Sequence, residues 1–445
     1  MRSSISPWWL VLLFFLTLAI RLAVLASDLG SLDLDNDSYA RLAINWAHSG
    51  TYGFAADNRD GALPEIAVTR PTAYRPPVYP WVLSWMVERG QLNTMAVATL
   101  HLVLGVATVL LVYVVAVRIG LDWPFLPALS VACDPILLRG SQLVMTETLI
   151  TFLAVVVWLF WLYLIRPVMD NDGTRFSKMK SAIGGALLLG VLLGVAVLTR
   201  PTMLPWAVCA IMFLTFRWPD SSKRFSVLTA STLMFLAVLV PWAARNARAF
   251  GQPIWTTTHG GYTLLLANNP SLYDHFKRHG PSRAWDATDF HRRWALRRSG
   301  DASNQSFWKE PLTQIPAEPP IDELIDDRLA QRAAIATIAR EPSVFALSCL
   351  YRVGWLWAVH PNEVSARPKW AIGIWYTYWF ILAAIGSLRI GSKWLSQTWL
   401  LPAALLVTLT GIHAIYWSNM RMRAPIMPIV YVVAALPLMR QRSTL

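Results

Sequence analysis

The sequence predicts an all-α, polytopic membrane protein, and three observations carry that prediction. Hydrophobic residues fill 55% of 445 positions, including 23 tryptophans, and the mean hydropathy is +0.42. Apolar runs of membrane-crossing length recur along the chain. Basic residues gather in alternate connections between them. A run of about 20 apolar residues crosses the roughly 30 Å hydrocarbon core of a bilayer. Ten such runs fall at 7–26, 95–117, 121–139, 148–166, 182–199, 202–217, 226–243, 370–388, 398–417 and 424–440.

The first run follows Arg2 and ends in small residues, as a secretory signal does. It exceeds the usual signal core of about 7–15 residues and many runs follow it, so it reads as an uncleaved helix. Charge then orients the rest. Arg118, the Arg166/Arg175/Lys178/Lys180 group, Arg217/Lys223/Arg224, Arg389/Lys393 and Arg440/Arg442 share one side, expected to be cytoplasmic. The connections 28–94, 140–147 and 244–369 are then expected outside.

The stretch 343–360 carries Arg352 in its middle between Pro342 and Pro361. As an eleventh span it would move Arg440 and Arg442 outside, so it reads as an interfacial or re-entrant helix with Trp355 and Trp357 at headgroup depth. Val78–Val87 reads the same way. The first outer loop has a helical stripe of Tyr39, Leu42, Ala43 and Trp46 within Ser38–Ala47, and the second a helical segment near Ile321–Arg340. The organisation is an N-terminal membrane module (1–243), an outer loop region (244–369) and C-terminal spans (370–445). No internal repeat is visible.

Several classes are excluded. The net charge of +13 is explained by the side preference of Lys and Arg, so no nucleic-acid partner is called for. Cys133, Cys209 and Cys349 are isolated in apolar segments and read as small hydrophobes. His275 and His279 stand four apart without a third ligand, so no metal site is predicted.

Four polar constellations map to the predicted outer face. Asp35 and Asp37 follow the first span, and Asp35 shares a helix face with Tyr39; both acids also suit a helix N-cap. In Tyr74-Arg75-Pro76-Pro77 the prolines stiffen the backbone and hold Arg75 at the surface, where it also suits plain snorkelling. Glu147 opens a span, where the helix dipole favours an acid. Arg421 and Arg423 precede the last span on the side that basic residues avoid, and an anionic headgroup would explain them.

One base and several cations suit transfer from a lipid-phosphate sugar. The leaving phosphate is a stabilised anion and needs no acid catalyst, whereas a glycosidase needs two carboxylates.

Asp35-Asn36-Asp37-Ser38-Tyr39, Arg75-Pro76-Pro77, the run Ser141–Leu149, Arg200-Pro201, Gly260-Gly261 with Asn268-Asn269-Pro270, and Arg421–Pro425 come in one order. In that order they resemble the GT-C membrane glycosyltransferases, of the bacterial protein O-mannosyltransferase and aminoarabinose transferase type. The resemblance runs over most of the chain. It implies a GT-C-like bundle of about 10–11 transmembrane helices with juxtamembrane helices and an extracytoplasmic loop region, in a bacterial inner membrane.

By the same resemblance Asp35 is the catalytic base, with Asp37 as the substitute for the acid that Asn36 replaces, and Glu147 is the second-loop acid. Arg75, Arg421 and Arg423 hold the donor phosphate. Tyr39, Tyr74, Arg200, His259, Asn268 and Asn269 are further cavity candidates. The implied donor is a polyprenyl-phosphate sugar, the acceptor a protein, lipid or glycan, and the outcome inversion at the sugar carbon. No cofactor is called for, and no divalent metal ion is supported. The rival readings are a transporter or lipid flippase, whose candidate pathway residues are Arg21 and His101, and a scaffold that binds a partner through 244–369.

Overall fold

The computed structural model describes residues 7–35, 37–55, 69–165, 175–218, 220–281, 283–297, 302–308, 323–361 and 366–439. Asn36, Arg166, Arg440 and Arg442 lie outside them. Helices dominate, and among the described residues the strands amount to two small antiparallel pairs, Gly53–Ala55 with Thr69–Pro71 and Val87–Glu88 with Gln91–Leu92.

The first half of the chain holds α1 (Pro7–Ser27), α2 (Tyr39–Ser49), α3 (Val78–Ser84), α4 (Thr94–Ile119), α5 (Phe125–Ala132), α6 (Pro135–Gly140) and α7 (Glu147–Leu164). It continues with α8 (Arg175–Thr199), α9 (Leu204–Phe216) and α10 (Ser221–Phe250). Next come α11 (Gly260–Ala267), α12 (Pro270–His279), α13 (Thr288–Ala295), α14 (Ala302–Trp308), α15 (Glu323–Arg340) and α16 (Pro342–Leu356). The chain closes with α17 (Ala366–Ile390), α18 (Gln397–Ile415) and α19 (Met427–Ala435). Two compact units result. One comprises 1–256, 370–409 and 423–445, the other 257–369 and 410–422.

Eight helices among the described residues are long and apolar enough to cross a membrane, and the chain is a multi-pass membrane protein. Ten were expected, and two of those runs fall short. The run 121–139 breaks between α5 and α6 because Pro135 lacks the N–H that would continue α5. Asp134 starts α6 instead, its carboxylate accepting the Leu137 N–H at 2.7 Å. The run 202–217 loses its first turn to a 3₁₀ segment at Pro201–Met203 and leaves the 13-residue α9, about 20 Å long. A ninth span exists if α15 and α16 count together, but they bend by 110° at the Glu341–Pro342 break. The helix expected near 343–360 is α16, and Arg352 in its last turns is fully buried rather than at a surface.

In the first unit α8 packs along α10. Gly190 and Gly194, one turn apart, permit it: a Cβ on Gly190 would lie 2.3 Å from the Ser231 carbonyl oxygen, and one on Gly194 2.7 Å from Val238 Cβ. Small residues at this spacing let two helix backbones approach closely in lipid. In the second unit α11 packs on α15 around Leu264, Leu265, Phe290, Trp308, Leu329 and Ala333.

Candidate active site

The site begins at the turn before α2. Ser38 sits at φ +65°, the left-handed region that side chains usually avoid. Local bonds hold it there: its N–H donates to the Asp35 carbonyl at 3.3 Å, and Arg41 Nη2 donates to its hydroxyl at 2.7 Å. The Asp35 carboxylate accepts the N–H groups of Ala40 and Arg41, both at 2.9 Å, and Arg41 Nε at 3.3 Å. Asp35 therefore satisfies the otherwise orphaned first amides of α2.

Asp37 faces a different partner. Its Oδ1 accepts from Arg75 Nη2 at 2.8 Å, and its carbonyl accepts from Arg75 Nε at 3.1 Å. The pair is open on one side, with the Asp37 side chain 30% exposed and that of Arg75 16%.

Arg75 is framed by aromatic rings, its guanidinium 4.6 Å from the centroid of Tyr74 and 5.4 Å from that of Tyr39. The Tyr52 hydroxyl donates to the Arg75 carbonyl at 2.8 Å, and Arg245 of α10 donates to the carbonyls of Tyr52 and Thr72. Pro76 and Pro77 then carry the stiffened chain into α3.

Below Arg75 the contacts descend into the helices. Tyr39 packs edge-on against Tyr79, ring centroids 5.3 Å apart. The Tyr79 hydroxyl meets His101 Nε2 at 2.9 Å, and His101 Nδ1 meets the Ser141 carbonyl at 2.9 Å. A carbonyl can only accept, so Nδ1 carries the hydrogen and Nε2 accepts from Tyr79. Burial raises the Tyr39 hydroxyl's pKa; Arg75 and Arg200 oppose the rise, while Asp37 and Glu147 reinforce it. Tyr39 is thus a neutral phenol within the fields of four charged groups. Glu147, at the N-terminus of α7, is buried and lies 3.7 Å from Arg200 Nη1.

Three of the four expected constellations therefore share the first unit with Arg200. The fourth divides. Arg421 belongs to the second unit. Arg423 belongs to the first, but it is fully buried, its guanidinium 4.3 Å from the Tyr376 centroid and 5.0 Å from that of Phe380. The field of Asp134 acts on it, and that carboxylate accepts the hydroxyls of Tyr376 (3.1 Å) and Tyr431 (2.5 Å). Arg423, expected to hold the donor phosphate, is an interior residue joining the α5–α6 break to α17 and α19.

Asn268 and Asn269, expected to line a cavity, are framework in the second unit. The Asn268 amide donates to the carbonyls of Leu264 and Ile415, both at 2.9 Å, and Asn269 starts α12 by accepting the Leu272 N–H at 2.9 Å. His259 stands at the start of α11 with its ring 5.2 Å from that of Tyr262. Sequence reasoning gave no role to Tyr52, Tyr79, Asp134 or Arg245. Tyr79 had a signal in its place within Val78–Val87, directly after Arg75-Pro76-Pro77, and Asp134 in its place before a proline, whereas Tyr52 and Arg245 had none.

No protein-family model and no curated relative matches the chain. Solved structures do. The oligosaccharyltransferase of Archaeoglobus fulgidus, tethered to an acceptor peptide, superposes with a TM-score of 0.52 at 12% identity over 97% of this chain and 49% of its own. The same archaeal protein, AglB, in complex with an inhibitory peptide and a dolichol-phosphate, gives 0.51 at 14% identity over 97% and 50%.

The chain has the GT-C fold. It spans about half the length of the archaeal structures that it matches. ArnT from Cupriavidus metallidurans bound to undecaprenyl phosphate also matches, with a TM-score of 0.42 at 14% identity over 97% of this chain and 77% of its own. Within this GT-C fold the Asp35–Asp37 turn, Arg75 and Glu147 all lie at or beside helix ends.

Proposed function

We propose that the chain is a glycosyltransferase that moves a sugar from a polyprenyl-phosphate donor to an acceptor at the extracytoplasmic membrane face. The observation that carries this reading is the Asp37–Arg75 pair, open on one side and resting on Tyr39, in a chain of GT-C fold. A matched structure of that fold holds a dolichol-phosphate and a peptide, which supports a lipid-phosphate donor here.

The base comes from the Asp35–Asp37 turn. Asp37 suits it better than Asp35, whose carboxylate is already bound by three N–H groups. Asp37 takes the proton of the acceptor hydroxyl, and the acceptor oxygen bonds to the anomeric carbon. The bond from that carbon to the phosphate oxygen breaks, and its electron pair stays on the phosphate. Arg75 holds that phosphate, an interaction that strengthens as charge develops there. Glu147 with Arg200 maintains the Tyr39 side of the site. A single displacement inverts the anomeric carbon.

The test is transfer from a polyprenyl-phosphate sugar by purified Asp37→Asn and Asp35→Asn proteins. Loss in Asp37→Asn with activity kept in Asp35→Asn is expected. The reverse pattern returns the base to Asp35, and full activity in both removes a base in this turn. Comparison of lipid-linked sugars and envelope glycoconjugates by mass spectrometry, with and without the protein, identifies donor and acceptor.

A further inference from the structure

Among the described residues of the first unit, the arginines Arg21, Arg200 and Arg423 are buried, and Arg75 is mostly so. Three of them are met by acids. Asp37 lies 2.8 Å from Arg75, Glu147 lies 3.7 Å from Arg200, and the field of Asp134 acts on Arg423. Arg21 differs. It is 2% exposed in α1, and its Nε and Nη1 have no hydrogen-bond partner among the described residues. Asp134 is the acid whose field reaches it, and that carboxylate already accepts from Tyr376, Tyr431 and the Leu137 N–H. A buried guanidinium without compensation is strongly unfavourable, so a counter-group at this point is physically required.

The surroundings indicate what it is. Arg21 projects into a cleft lined by Gly105 and Thr108 of α4, Leu137 and Gly140 of α6, and Glu147, Thr148 and Thr151 of α7. Gly105 makes the notch: a Cβ there would lie 2.3 Å from Arg21 Cζ. The hydroxyls of Thr108 and Thr151 are spent on the carbonyls of Leu104 and Glu147. Thr148 Oγ1 is buried with no partner among the described residues, which leaves its O–H to donate. The cleft also sits at the N-terminus of the 18-residue α7, where the helix dipole favours negative charge. Glu147 is the acid in the lining, and Arg200 offsets its charge.

We infer that Arg21, the Thr148 hydroxyl and the N-terminal end of α7 form a buried site for a small inorganic monoanion, a halide. The single positive charge of the Arg21 guanidinium asks for a single negative charge. The free space at the centre is close to the size of one water molecule. That excludes phosphate, sulfate and a lipid headgroup, so the site is separate from donor binding at Arg75; a halide, larger than a water molecule, enters as the lining gives slightly. A halide there would tie α1 to α4 and α7.

The test is thermal unfolding of the full-length protein in nanodiscs, titrated with chloride or bromide against gluconate at constant ionic strength. A saturable rise in Tm with either halide is expected, since a ligand of the folded state stabilises it by mass action. Arg21→Met should abolish the rise. Thr148→Val, which exchanges one hydroxyl for a methyl group, should move its midpoint to higher halide, and it decides the matter if Arg21→Met does not fold. Equal Tm values in chloride, bromide and gluconate would overturn the inference in favour of water. So would an unchanged midpoint in Thr148→Val.

Discussion

Arg352 in the second unit and Arg21 in the first are both buried arginines in apolar helices, yet they are treated in opposite ways. The Arg352 guanidinium is filled by the protein: it donates to the carbonyls of Ala414 and Ala267, both at 2.7 Å, to Asn268 Oδ1 at 3.3 Å and to Cys349 Sγ at 3.4 Å. Two of those carbonyls end helices α11 and α18, so the cation sits at the negative ends of two helix dipoles. Arg21 has two N–H nitrogens unspent. A buried arginine closed by carbonyls is scaffold, and one left open is a binding group.

The largest expected effect breaks the scaffold side of this contrast. Arg352→Met should destabilise by about 2–4 kcal/mol, because it takes the side-chain donors from two buried carbonyls while Asn268 Oδ1 keeps only the Tyr273 hydroxyl, read as lost folded yield and lowered Tm. Arg21→Met in halide-free buffer should by contrast stay near wild type, since replacing an uncompensated buried charge by an apolar chain is neutral or favourable. Equal losses in both would erase the distinction.

Arg75→Ala comes next and reads in a different observable. Transfer should fall by about 10²–10³-fold, as for removal of one donor from a developing anion. Tm should fall far less, because the Asp37 carboxylate left behind is open to water on one side. A fall in Tm matching the loss of activity would make Arg75 scaffold instead.

Tyr79→Phe sharpens the comparison within the first unit. It removes the O–H that His101 Nε2 accepts and should cost about 1 kcal/mol, measured by thermal unfolding.

A further effect, read in pH rather than in Tm alone, concerns Asp327, on α15, outside the eight apolar helices. Its carboxylate accepts the N–H groups of Gly261 (2.7 Å) and Tyr262 (3.2 Å), and burial raises its pKa from 3.8 to about 6 against the opposing pull of those bonds. The folded state then holds this proton more tightly than the unfolded chain does. The stability contribution is greatest below pH 4, declines as pH rises towards about 6, and is level above that. Asp327→Asn should flatten this part of the stability–pH profile, and an unchanged slope would assign it to another group.

Much of the fold was legible because hydrophobic runs and flanking charge are local properties of the chain. The two failed spans also had local causes in plain view, Pro135 and Pro201, but the apolar count outweighed them. The site was legible in part. The residues of the Asp35–Asp37 turn, Arg75 and Glu147 stood out as polar groups beside apolar runs. Arg423 stood out for the same reason, yet Tyr376 and Asp134 enclose it from positions 47 and 289 residues away.

By itself, then, the sequence determined that this chain enters a membrane many times and carries acids and arginines at the helix ends, because hydropathy and charge act residue by residue. Tertiary structure alone decided which arginine meets an acid, which meets carbonyls and which meets neither. That choice depends on the carbonyls, acids and hydroxyls that distant helices bring within hydrogen-bond range, and no local pattern encodes it.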